Sequence, residues 1–180
     1  MRLKIKKSGS YKSSNKYLDL IAKSEVYDVA EKTPITFAGN LSSKLKNDVY
    51  LKREDMQPIF SFKIRGAYNK IAHLNKEQQK RGVITASAGN HAQGVANACK
   101  KLKVPCLIVM PVTAPEIKVK SVKRFGSKVL LHGDNFDQAS KKARQMAKEQ
   151  KLEFIEAFDD PLTIAGQGTV GKEIFDEHND

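Results

Sequence analysis

A strand-like run at 83–86 (VITA) is followed by Ser87, Ala88, Gly89, Asn90 and His91, and then by a stretch with helical spacing. A turn that leaves a strand and opens a helix presents unpaired N–H groups and the positive end of the helix dipole. Ala88 and Gly89 are small enough to let an anion reach that backbone, and Asn90 and His91 add side chains that hydrogen-bond. The chemistry is that of a cradle for a carboxylate or phosphate. Capping of the helix by Ser87 or Asn90 explains the same residues, and residue type leaves the two roles open. Upstream, Lys63 stands at the opening of another helical stretch, beside Phe62. An amine held partly out of water has a lowered pKa and can form a Schiff base with a carbonyl. By residue type alone, Lys63 reads as an ordinary surface lysine in a Lys-rich chain.

Other candidates carry less. Gly166 to Lys172 (GQGTVGK) fits both the dinucleotide fingerprint and most of a P-loop. The P-loop needs Ser or Thr after its lysine and here has Glu173; the fingerprint must follow its strand directly, and residues 159–165 intervene. A Gly-rich helix start packed closely on a neighbour is the better reading. His73, His91, His132 and His178 show no metal-ligand spacing, His73 and His178 reading as solvent-facing, and no C-x-x-C pair exists. Metal: none is expected. Cys99 and Cys106 read as core thiols. The basic run Lys118, Lys120, Lys123, Arg124, Lys128 lacks aromatic interleaving and reads as a solvated helix face.

The elements that must position these residues follow a regular plan. Apolar spacing predicts helices over 18–24, 63–74, 91–102, 136–147 and most of 161–180, with Pro115 opening and Gly126 closing one more. Asn75 and Gln78 resemble a capping box for a short helix. Strands are predicted over 49–52, 83–86, 105–110, 128–131 and 152–158, and a polar loop over 52–58. The near-constant alternation from residue 83 onward means successive βαβ units and an open parallel α/β sheet with helices on both faces. The 180 residues are 40% hydrophobic and 29% charged, which excludes a disordered or collagen-like chain, and no apolar run is long enough to span a membrane. Two cysteines exclude a disulfide scaffold. The net charge of +12 favours anionic partners. Residues 1–17 are basic, Ser-rich and free of acids, and read as a tail or the start of a docking helix. They lack the apolar stretch of a secretory signal and are Lys-rich rather than Arg-rich, which points to the cytoplasm.

Four stretches in colinear order carry a family resemblance: VYDVAEKTP at 26–34, VYLKRED at 49–55, SFKIRGA at 61–67 and TASAGNHAQG at 85–94. The chain resembles the pyridoxal-phosphate enzymes of the tryptophan-synthase-β class, and within it the biosynthetic threonine dehydratases. The resemblance covers about residues 20–180. It implies a fold type II enzyme, with residues 60–160 as the small subdomain, 18–59 as the start of the large one and 161–180 as the return into it. It implies that Lys63 carries pyridoxal 5'-phosphate and moves the substrate α-proton, that Phe62 helps hold the cofactor ring, and that Asn90 bonds the cofactor's phenolic oxygen. Ser87, Ala88, Gly89, Asn90 and His91 would grip the substrate carboxylate.

The implied reaction is dehydration and deamination of L-threonine to 2-oxobutanoate and ammonia, toward isoleucine. Racemising relatives carry a second serine where this chain has Ala88, so Ala88 argues for dehydration. The family's Gly-rich phosphate loop, its residue facing the pyridine nitrogen and the regulatory domain lie downstream of a position like Asp180. The chain is therefore expected to be an N-terminal portion, weak in cofactor binding and inactive alone. Serine dehydratase or another β-eliminating enzyme is the alternative substrate reading. A catalytically dead fragment acting through a partner chain and a basic nucleic-acid binder are the alternatives outside catalysis. The expected partners are an amino-acid substrate, L-threonine and possibly L-serine, and further copies of the chain in a homo-oligomer, with no nucleic acid and no membrane.

Overall fold

The computed structural model describes residues 12–177. The first eleven residues and His178 to Asp180, which include most of the basic tail, lie outside the described residues. Helix α1 (Lys12–Ala22) starts before the predicted 18–24 span and crosses the boundary placed at 17/18. Strand β1 (Ile35–Phe37) and helix α2 (Gly39–Leu45) were not predicted; β1 pairs antiparallel with β2 (Tyr50–Lys52), Ile35 opposite Lys52. Three residues give no alternation to read, so β1 emerges only from its pairing. The polar loop that follows contains a 3-10 turn, Glu54–Met56.

Helices α3 (Lys63–Ala72) and α4 (Lys76–Arg81) come next. The capping box on α4 is present, with Asn75 accepting from Gln78 N and Gln78 accepting from Asn75 N. The main sheet follows: β3 (Val83–Ala86), α5 (Asn90–Leu102), β4 (Cys106–Met110), α6 (Glu116–Lys123), β5 (Lys128–Leu131), α7 (Phe136–Glu149) and β6 (Glu153–Phe154). All its pairings are parallel, and the spatial order is β5-β4-β3-β6. Ile84, Ala86 and Val109 pack on Ala139 and Ala143 of α7. On the other face Ile108 and Met110 pack on Ala92 and Ala96 of α5 and Val122 of α6. Alternate residues of one strand thus serve opposite layers, as the strand pleat requires. Pro115 is the N-cap of α6 rather than its first helical residue, and Arg124 is its C-cap, while Gly126 lies beyond with φ of 86°.

The chain leaves β3 toward β4 and β5, then returns through α7 to place β6 on the other side of β3. Strand order therefore reverses between β3 and β6. In open α/β sheets such a reversal opens a crevice beyond the carboxyl ends of the two strands, where ligands bind.

β6 is much shorter than the predicted 152–158. It is an edge strand paired only with β3, Val83 opposite Glu153 and Ile84 opposite Phe154. Past Ile155 N, which donates to Ile84 O at 2.9 Å, side chains replace the backbone ladder.

The last helix, α8 (Pro161–Glu177), contains the whole Gly166–Gly171 motif. The motif sits inside the helix rather than at its start. A Cβ on Gly166 would lie 2.7 Å from the Arg65 carbonyl oxygen and from Gly66 Cα, and one on Gly66 would lie 2.6 Å from the Thr163 carbonyl oxygen. The glycines let α3 and α8 cross in backbone contact. This is the close packing expected of them, and no nucleotide loop exists here.

Candidate functional site

Lys63 is the first residue of α3, and its N–H donates to Ser61 Oγ at 3.3 Å. Gly94 of α5 lies against it: a Cβ at 94 would stand 2.9 Å from the Lys63 carbonyl oxygen. That close approach brings the start of α3 beside the start of α5. The Lys63 side chain reaches across the crevice and its Nζ donates to the Ala157 carbonyl, just past β6, at 2.7 Å. Nζ also lies 5.4 Å from the centre of the half-exposed Phe62 ring. Burial lowers the Lys63 pKa, and no carboxylate pairs with it among the described residues. A partly desolvated amine without a counter-charge is the form in which lysine becomes a nucleophile.

On the opposite lip, Ser87 leaves β3 with its N–H bound to Val109 O. Ser87 Oγ accepts from Gly89 N at 3.1 Å and Ala92 N at 3.3 Å, so it caps α5. The N–H groups of Ala88, Asn90 and His91 find no acceptor among the described residues. Gly89 faces open space, with nothing within 4 Å of where a Cβ would be. Asn90 is exposed, and its amide is free among the described residues. The capping role left open by sequence is taken by Ser87, and the N–H groups of Ala88, Asn90 and His91 remain without an acceptor among the described residues.

His91 differs from the sequence expectation. Its ring is buried, with Nε2 at 3.2 Å from the Ile155 carbonyl oxygen. Burial, helped by the nearby Lys63 charge, lowers its pKa to about 4, so the imidazole is neutral. A carbonyl can only accept, which fixes the proton on Nε2. What His91 offers the crevice is therefore its backbone N–H.

Sequence reasoning missed two parts of the surroundings. One is the Ala157 carbonyl, which carries no signal because every residue has one. The other is Arg65, whose side chain is completely buried on the far side of α3. Its Nε and Nη2 reach Glu54, its Nη1 and Nη2 reach Glu173, Nη1 reaches Thr169 Oγ1, and Nη2 reaches the Glu31 carbonyl. Lys52 Nζ pairs with Glu173 at 2.9 Å, and Tyr27 Oη donates to Glu173 at 2.8 Å. Burial alone would lower the Arg65 pKa and raise that of Glu173; the pairing outweighs it in both, raising the first and lowering the second. The signal was available in the charged run Lys52, Arg53, Glu54, Asp55 and in Arg65 itself, but not the partner in α8.

A concavity of about 580 Å³ lies beside α2, lined by Phe37, Gly39, Ser42, Lys46 and Asp48. None of the predicted site residues lines it, so chemistry rather than volume marks the crevice. Among the described residues no helix is long and apolar enough to cross a membrane, and no group of three or more His, Cys, Asp or Glu could hold a metal ion.

Comparison with known proteins agrees with this geometry. The family model described as "Pyridoxal-phosphate dependent enzyme" matches residues 26–180. The chain is 56% identical over 158 residues to a threonine dehydratase of Nicotiana attenuata, covering 88% of this chain and 26% of that protein. It is 52% identical over 167 residues to a biosynthetic L-threonine dehydratase of Haemophilus influenzae, covering 92% and 33%. The chain thus spans about a quarter to a third of the length of these curated relatives. The solved structure of processed threonine deaminase isoform 2 from Solanum lycopersicum superimposes with a TM-score of 0.91 at 47% identity, covering 96% of this chain and 47% of that one. Maize serine racemase superimposes with a TM-score of 0.84 at 30% identity, covering 92% and 50%. The chain belongs to the pyridoxal-phosphate dependent enzyme family and has its fold type II architecture.

Proposed function

We propose that this member of the pyridoxal-phosphate dependent family carries the lysine and the substrate-carboxylate grip of a threonine dehydratase, which converts L-threonine to 2-oxobutanoate and ammonia. One observation carries the reading. The desolvated Lys63 amine and the free N–H groups of Ala88, Asn90 and His91 belong to helix starts that are packed together beside the strand-order reversal. The residues fit the cofactor: Lys63 offers an amine for its aldehyde, Phe62 an apolar face for its ring and Asn90 an uncommitted amide for its phenolic oxygen. When bound, pyridoxal phosphate supplies an electron sink for removal of an α-proton and loss of a β-substituent.

The chain's own residues do the rest. Ser87 holds the turn by capping α5. Ala88, Asn90 and His91 present N–H donors and a helix dipole to a carboxylate, and Gly89, with no side chain, leaves room for it to approach. Lys63, near neutrality more readily than a surface lysine, takes and returns the α-proton. Ala88 brings no hydroxyl to the opposite face, which favours dehydration over racemisation. The 60–160 unit acts as the small subdomain, flanked by 18–59 and 161–180 as parts of the large one. We further place the protein in the cytoplasm, and read the exposed Phe37 and Tyr50, whose rings lie 5.3 Å apart, as part of a face covered in a homo-oligomer. Fluorescence microscopy and sedimentation test these two points.

Borohydride reduction in the presence of pyridoxal phosphate, followed by peptide mass mapping, tests the core of the proposal. Label is expected to concentrate on the peptide containing Lys63 and to vanish from it in Lys63→Ala. Label scattered evenly over the lysines would sink the reading. A panel of amino acids then separates threonine from serine as the substrate.

A further inference from the structure

Three consecutive carbonyls past the end of β6 accept from side chains of β3, α3, α5 and α8. The Ile155 carbonyl accepts from Thr85 Oγ1 at 2.8 Å and from His91 Nε2 at 3.2 Å. The Glu156 carbonyl accepts from Thr163 Oγ1 at 3.4 Å. The Ala157 carbonyl accepts from Lys63 Nζ at 2.7 Å. Thr85, His91, Ile155 and Thr163 are each at most 4% exposed, so water does not substitute for these bonds. Among the described residues no strand flanks β6 on its outer side, and its ladder to β3 ends with Ile155 N. The orientation of the peptide planes from 155 to 157 is therefore set by the side-chain donors. Thr85 sits on the fully buried strand β3 and His91 in the first turn of α5, so the two anchor this segment to both elements.

We infer that Thr85 and His91 are positioning residues that act through the Ile155 carbonyl to aim the Ala157 carbonyl at Lys63, making residues 155–157 a seat for the free amine. The inference rests on the reading of Lys63 as the reactive amine. The seat holds the amine in the crevice whenever it is not bonded to another group, with its donors directed away from solvent. His91 is suited to the task because its neutral ring, protonated on Nε2, keeps a single donor on the Ile155 carbonyl, while Nδ1 has no partner.

The test is reductive methylation of the full chain with formaldehyde and cyanoborohydride at pH 8, with mass mapping of each lysine. The readout is the rate at Lys63 divided by the mean rate at the exposed Lys103, Lys141 and Lys148. Thr85→Val keeps the shape and removes the hydroxyl. The Lys63 ratio is expected to fall about threefold or more toward the exposed-lysine mean, with Thr85→Ser restoring it. A general loosening of the fold would not be rescued selectively by one hydroxyl. An unchanged ratio in a Thr85→Val protein with wild-type circular dichroism overturns the inference, as does a folded Thr85→Ser that behaves like Thr85→Val. Should Thr85→Val fail to fold, His91→Asn is read the same way: a lowered ratio supports the seat and an unchanged one overturns it. The reagent contains no pyridoxal phosphate, so failure here is separate from failure of the cofactor-labelling experiment.

Discussion

Lys63 and Arg65 stand two residues apart on the first turn of α3 and face opposite environments. Arg65 is wholly buried, and every one of its donor nitrogens has a partner. Two cations, Arg65 and Lys52, meet the buried carboxylates Glu54 and Glu173, and Lys52 also reaches Glu177 at 3.4 Å on the outer edge of the cluster. Lys63 has a single carbonyl acceptor and no counter-charge, and across from it lie N–H donors with nothing to bind. A charge paired on all sides fixes structure because moving any member leaves another uncompensated in low dielectric. A charge paired by one weak acceptor stays available for chemistry. The same helix turn thus carries an anchor on one side and a reagent on the other, and the rigidity of the first sets the position of the second.

The largest way to break this contrast is to remove the anchor. Arg65→Met leaves Glu54 and Glu173 buried with too few partners and is expected to cost about 3–5 kcal/mol in urea unfolding. A cost under about 1 kcal/mol would show that the cluster is not what holds α3. Next comes the helix crossing behind both residues. Gly66→Ala places a methyl 2.6 Å from the Thr163 carbonyl oxygen, and backbone cannot swing aside. About 2–3 kcal/mol of destabilisation is expected, together with a lower Lys63 methylation ratio as α3 shifts.

The crevice side is sharpened by pH. The folded pKa of His91, about 4, lies below its ordinary value of 6.5. The unfolded chain therefore takes up this proton first as pH falls. The stability His91 contributes is complete above about pH 6.5 and is lost progressively toward about pH 4. Unfolding free energies measured at pH 7 and pH 5 should differ by about 2 kcal/mol from this ring alone, and His91→Gln should flatten that difference. The smallest effect is expected at the reagent itself. Lys63→Met should change stability by no more than about 1 kcal/mol while abolishing pyridoxal label on its peptide. A large loss of stability in Lys63→Met would erase the distinction between the two sides of the helix.

Local pattern was enough for the parallel βαβ core. Strands β3, β4 and β5 and the helices between them appear where hydrophobic spacing placed them, because each element's burial is written at its own period, 3.6 or 2. Shorter elements escaped. β1 has three residues, and β6 has two where seven were expected. The apolar run at 152–158 reflects burial of Ile155 in the core, not continued pairing. The anion-binding turn was legible because strand, small residues and helix are contiguous. Lys63 was legible only through family resemblance, since one lysine looks like another until its surroundings are known. The inward turn of the His91 ring was not legible, because an imidazole at a helix start suits a ligand and a backbone carbonyl equally well.

The amino-acid sequence by itself determined the alternation of strands and helices, the turn that opens α5 and the exclusion of a nucleotide-binding loop at 166–172. These are decided by neighbours along the chain, through backbone sterics, helix capping and the period of apolar residues. Only the tertiary structure decided which side of β3 receives β6, that Glu173 meets Arg65 and that Ala157 faces Lys63. Those are choices between partners about a hundred residues apart, and their energy exists only once packing has excluded the water that would otherwise satisfy each group.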